Sequence, residues 1–155
     1  QLNRDSKLIS LALVSESGRE FYVELIDNYI VEDCSDFVIQ NLLPQLDPLR
    51  CGQSLSEAQA SLRRFLGRFV EQLEVCSDAP HWDWQLFRDL VCADHQPWPL
   101  HVMDQPTDLT ILFNQVSAEA LEELELPDLP HHALLDARML AELFEALASR
   151  FALSS

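Results

Sequence analysis

The chain has 155 residues, 48% of them hydrophobic and 23% charged, which is enough apolar material for one sizeable core but not two. Its 26 acidic residues outweigh ten Lys and Arg to give a net charge of -16, which argues against broad, sequence-independent nucleic-acid binding because phosphate contacts need clustered cations. No run approaches the roughly eighteen uninterrupted apolar residues of a membrane span, and the opening QLNRDSK has neither the basic start nor the apolar centre of a signal peptide. Cys34, Cys51, Cys76 and Cys92 stand far apart with no C-x-x-C pair, so neither a structural zinc site nor a disulfide framework is indicated. The expectation is a single cytoplasmic domain with reduced thiols.

In chain order, Lys7 to Ser15 (KLISLALVS) predicts a largely buried strand, and after a turn around Gly18 the run EFYVELI predicts its hairpin partner. In that second strand the alternation sets Glu20 and Glu24 on an exposed face. Cys34 to Leu46 predicts a short helix that Pro44 kinks or ends. The strongest helical pattern starts at a cap on Ser54 or Ser56, with Leu55, Ala58, Leu62, Phe65, Leu66, Phe69, Val70 and Leu73 at a 3.6-residue period. LEVCS, from Leu73 to Ser77, then suits a buried strand after a crossover helix. A helix from about Asp83 to Cys92 follows, then an irregular proline-rich stretch from Asp94 to Thr107 with a short strand at LHVM. A weak helix within Asp108 to Leu124 precedes a strong one from His132 to Phe151. This order predicts an α/β domain with helices packed on a mixed sheet.

Two segments carry candidate chemistry. In SDAPHWDWQLFRDL, Asp83 opens a helix directly after the buried strand, the usual place for a ligand in open α/β folds; alone, it is as readily an N-cap. In PHHALLDARMLAELFEAL, Ala133, Leu134, Ala137, Leu140, Ala141, Phe144 and Leu147 form the buried stripe of a helix, and His131 at its start stands five positions before Asp136. A His near an Asp at a helix start is, by itself, more often a cap and a surface carboxylate.

Together the segments resemble the DEDDh branch of the RNase H-like 3′-5′ exonucleases. That family's second acid lies in Asn-Ala-x-Phe-Asp, matched by Ala79-Pro80-His81-Trp82-Asp83, with Ala79 in place of Asn and Trp82 in place of Phe. Its base and last acid lie in His-x-Ala-x-x-Asp-Ala, matched more specifically by His131 to Ala137. The hairpin LISLALVSESGREFYVEL extends the resemblance, over nearly the whole chain, to a small bacterial 3′-5′ exoribonuclease subgroup whose opening strand ends Asp-Thr-Glu-Phe. The resemblance implies one RNase H-like exonuclease domain spanning residues 1–155, N-terminally incomplete. It implies that two divalent ions, Mg2+ or Mn2+, are held by four carboxylates, including Asp83 and Asp136, with His131 as general base. His132 takes a variable position and receives no role. The implied substrate is the 3′ end of single-stranded nucleic acid, RNA favoured, and a homodimer is one arrangement the resemblance allows.

The family's first motif, Asp-x-Glu on the opening strand, has no counterpart after Gln1. In the family sheet that strand lies between those corresponding to Lys7–Ser15 and Leu73–Ser77, so the chain that starts at Gln1 is expected to bind metal weakly and to be inactive. Asp5, Glu16, Glu20 and Glu24 are the acids nearest that end, and all four read as solvated carboxylates rather than replacement ligands. Arg63, Arg64 and Arg68, with Glu57 and Glu71 nearby, read as a solvated face. Trp82, Trp84 and Trp98 read as core more readily than as base-stacking platforms. The acidic run Glu119 to Leu129 reads as a solvent-facing helix end and loop. The alternative function is a catalytically silent RNase H-like protein-interaction module.

Overall fold

A computed structural model of the chain describes residues 7–114 and 132–153. Asp5, His131 and the acidic run from Glu119 to Leu129 therefore lie outside the described residues. The described elements make a mixed α/β structure.

Strands β1 (Ser10–Val14) and β2 (Glu20–Leu25) form the expected antiparallel hairpin, pairing Ser10 with Glu24 and Val14 with Glu20. Gly18 supplies the positive φ of 88° that its turn requires. A helical segment follows, with a π turn at Val38–Leu42 and a 3-10 turn at Leu43–Gln45 in which Pro44 ends the coil. The single turn α1 (Pro48–Cys51) leads into β3 (Gly52–Gln53), which lies parallel to β2 with Gly52 opposite Glu24. A Cβ on Gly52 would stand 2.3 Å from the Pro48 carbonyl oxygen and 2.7 Å from the Ile26 side chain, so this close approach of backbones admits only glycine.

Helix α2 (Leu55–Leu66) starts where its capping residues direct. The Ser54 hydroxyl accepts from the Glu57 N–H, the Glu57 carboxylate accepts from the Ser54 N–H, and Asp27 accepts from the Leu55 N–H at 2.9 Å. The helix is shorter than its apolar period suggests. It ends at Gly67, leaving Phe69 and Leu73 beyond it and Val70 93% exposed. The His101 ring meets the Leu66 carbonyl at 2.7 Å, satisfying one of the acceptors that the helix end leaves over.

After α2, Leu73 bridges in parallel to Val102, and β4 (Cys76–Ser77) pairs in parallel with β5 (Thr107–Asp108). Helix α3 (Pro80–Val91) lies between β4 and β5 in the chain. Helices α4 (Leu109–Asn114) and α5 (Ala133–Leu153) complete the described structure. The core joins Phe21, Val23 and Leu25 of β2 to Ala58, Leu62, Phe65 and Leu66 of α2 and to Phe87, Leu90 and Val91 of α3. Helix α5 packs mainly on the hairpin, against β1 and to a lesser degree β2.

The described strands form two separate sheets, one in the order β1-β2-β3 and one of β4 and β5. β1 is thus an edge strand among the described residues, although its sequence, SLALV, is apolar on both faces and all five residues are half-buried.

Candidate functional site

Asp83 sits in the first turn of α3, not at its start. Pro80 takes the first helical position and Ala79 is the cap, with the Asp83 N–H bonded to the Ala79 carbonyl at 3.0 Å. The N-cap role is therefore closed to Asp83. Its carboxylate instead accepts from the Ser77 hydroxyl at 2.7 Å, and the same hydroxyl accepts from the Ala79 N–H at 3.0 Å. Ser77 at the end of β4 thus ties strand, turn and acid together. Burial of the carboxyl group pushes the Asp83 pKa up, opposed by the Ser77 bond and reinforced by Asp78, although the residue as a whole keeps an exposed side.

Asp136 lies in the first turn of α5, half-buried, where its N–H donates to the His132 carbonyl at 2.8 Å. His132 therefore makes the first bond of the helix. Its ring lies against Tyr22 of β2, with centroids 5.0 Å apart and Nε2 3.1 Å from the Tyr22 hydroxyl. That hydroxyl donates in turn to Glu24, whose carboxylate accepts from the Asp47 N–H at 2.7 Å.

This network corrects one expectation. Glu24 is not a solvated carboxylate: it is only 2% exposed. Strict alternation had one face of β2 in water, but α5 covers the second face of the hairpin and Asp47 closes over the carboxylate. Glu20, in contrast, is exposed as expected and pairs with Arg138 of α5, which donates to it from Nη2 at 2.8 Å and also from Nε. Glu16 is exposed as well. No local sequence signal marked Tyr22, and the alternation that set Glu24 on an exposed face does not show that Asp47 and Tyr22 close over its carboxylate.

The basic cluster is also reassigned in part. Arg63 is half-buried and donates from Nη1 to the Val91 carbonyl at 2.8 Å, alongside the buried Gln59 amide, which bonds the Val91 and Ala93 carbonyls. These two side chains satisfy the end of α3 and do not form a solvated face. Arg64 and Arg68 are exposed. Trp84 and Trp98 pack edge to face at 5.5 Å and both touch Phe87 beside the core, whereas Trp82 is 44% exposed. An open depression of about 510 Å³ is lined by Arg19, Glu20, Phe65 and Arg68, and it includes neither candidate acid.

Asp83 belongs to the β4–β5 side of the structure and Asp136 to the helix on the hairpin. Among the described residues no group of three or more His, Cys, Asp or Glu is arranged to hold a metal ion, so Asp83 and Asp136 do not of themselves complete a two-ion site. Among the same residues no helix is long and apolar enough to cross a membrane. No protein-family model matches the chain, and no curated protein sequence matches it.

Proposed function

We propose that the chain is the larger part of an RNase H-like, metal-dependent 3′-5′ exonuclease that hydrolyses single-stranded nucleic acid, with RNA favoured, and that Asp83 and Asp136 are two of its metal-holding acids. The reading rests first on the motif His131 to Ala137 and the looser match ending in Asp83. The structural observation that supports it best is the break in the sheet. β1 and β4 belong to different sheets, and the only described partner is β2 for β1 and β5 for β4. An Asp-x-Glu strand between β1 and β4 would pair with both and bring two further acids.

Oxygen ligands of this kind suit Mg2+ or Mn2+. In a complete site the ions supply an activated water and charge stabilisation at the phosphate. The contribution of this chain is narrower. Ser77 orients the Asp83 carboxylate, and the first turn of α5 holds Asp136 one helical turn beyond His132. Partial burial of the carboxyl group and the neighbouring Asp78 push the Asp83 pKa up, and a bound cation would favour its charged form.

The test is release of nucleotides from a 3′-labelled single-stranded RNA in Mg2+, using the natural polypeptide with whatever precedes Gln1. Asp83→Asn and Asp136→Asn should each abolish hydrolysis while leaving the fold nearly unchanged. His131→Ala should lower the rate by roughly a hundredfold to ten-thousandfold. Unaltered turnover in Asp136→Asn would sink the assignment, and absence of any hydrolysis together with absence of an upstream Asp-x-Glu would favour the silent module.

A further inference from the structure

Glu24, Tyr22 and His132 form a line of hydrogen bonds running from a buried carboxylate to the first turn of α5. Each group in it has a determined part. The Glu24 carboxylate is an acceptor, already facing the Asp47 N–H with both oxygens, at 2.7 and 3.0 Å, so the proton between it and Tyr22 comes from the phenol. Burial and the adjacent Glu24 push the Tyr22 pKa far up, which keeps that phenol protonated. With its proton committed to Glu24, the Tyr22 oxygen has only lone pairs left for His132. The hydrogen between Tyr22 and His132 must then be carried by Nε2. Nδ1, on the far side of the ring, is buried and has no hydrogen-bond partner among the described residues. A bare lone pair there costs less than a buried N–H without an acceptor, so both ends of the ring favour the same tautomer.

We infer that Tyr22 and Glu24 are positioning residues: they hold His132 as the Nε2–H tautomer with its Nδ1 lone pair turned inward, and through it they anchor the first turn of α5, which carries Asp136. A histidine whose one nitrogen donates through a hydroxyl to a carboxylate while the other offers a lone pair has the outer-shell arrangement of a ligand or base held in readiness. The consequence for catalysis rests on the nuclease reading above; the tautomer does not.

The two can be separated by reading the tautomer without nucleic acid or metal. Long-range 1H–15N correlation spectra of the uniformly 15N-labelled 155-residue chain, at about pH 8.5 where an ordinary imidazole is neutral, should show His132 protonated at Nε2 alone. Glu24→Gln should reverse this. The amide would accept from Asp47 and donate to the Tyr22 oxygen, forcing the phenol to donate to Nε2 and moving the imidazole hydrogen to Nδ1. Tyr22→Phe should give a mixture of both tautomers. Retained amide signals of the hairpin identify variants that remain folded; should either variant unfold, the tautomer of the unaltered protein remains decisive. Protonation at Nδ1 in that protein, or an unchanged tautomer in both folded variants, overturns the inference. In the active full-length protein, Tyr22→Phe should lower kcat about 10- to 100-fold with KM for RNA unchanged. A rise in KM with kcat preserved would instead make Tyr22 a substrate contact.

Discussion

At the scale of single residues, the two glutamates of β2 show how one alternating pattern yields two different carboxylates. Glu20 and Glu24 share a face of the strand, four residues apart, yet Glu20 meets an exposed Arg138 and Glu24 is sealed under Asp47 and Tyr22. The period-two pattern reports which face of a strand a residue occupies, but not whether another element will cover that face. Glu20 offers a titration with a definite sign. Its hydrogen bond to Arg138 holds its pKa below the usual 4.5 against an opposing desolvation, with the Arg138 charge adding a lesser share. A depressed carboxyl pKa means that the pair stabilises the fold above the unfolded value and that this contribution is lost as pH falls through the folded one. Because the pair is exposed to water, the contribution is small and screened by salt. In Arg138→Gln the Glu20 carboxyl, followed by NMR titration, should move up towards 4.5, and added salt should shrink the difference between the two proteins. A Glu20 titration that ignores Arg138→Gln would show that the pair does not form in solution.

At the scale of elements, legibility followed the length of the pattern and the presence of punctuation. α2 was legible because a 3.6-residue period coincides with a capping box at Ser54 and Glu57; its end was misplaced because Phe69, Val70 and Leu73 continue the period after Gly67 has stopped the helix. The start of α3 was misplaced by three residues although Pro80, a residue suited to the first helical position, marked it. β3 and β5, two residues each, are too short to carry any period and owe their existence to neighbours. β3 in particular depends on Gly52. An alanine there would drive its Cβ into the Pro48 carbonyl and Ile26, displacing the strand from β2 at the position opposite Glu24. Gly52→Ala should therefore destabilise the protein by about 1–3 kcal/mol, read as a lower urea midpoint at unchanged slope. It should also disturb the Glu24 network, whereas Gly18→Ala, which meets nothing within 4 Å, should cost only the strain of its positive φ. Equal stability of Gly52→Ala and the parent would mean that β3 is not held against β2.

At the scale of the whole molecule, the α/β class was legible from the order of strands and helices, while the division into two sheets follows from what pairs with β1. A strand apolar on both faces is the signature of a sheet interior, and β1 has that composition while standing at an edge among the described strands. The tension can be measured residue by residue. In the hairpin the Leu25 N–H donates to the Ile9 carbonyl and the Ser15 N–H to the Arg19 carbonyl. With that register, the odd-numbered residues of β1 turn their N–H groups to β2, and Ser10, Ala12 and Val14 turn theirs outward, because antiparallel ladders alternate strictly. In the 155-residue chain the amides of Leu11 and Leu13 should exchange slowly with deuterium and those of Ser10, Ala12 and Val14 quickly. In a longer natural polypeptide carrying an Asp-x-Glu strand, the three outward amides should become as protected as their neighbours, and Cys76 and Ser77 of β4 should gain protection with them. Such joint protection of β1 and β4 is expected only if one strand lies between them. Protection of the outward amides in the 155-residue chain at low concentration would show that β1 already has a partner, and loss of that protection on dilution would identify the partner as another copy of the chain.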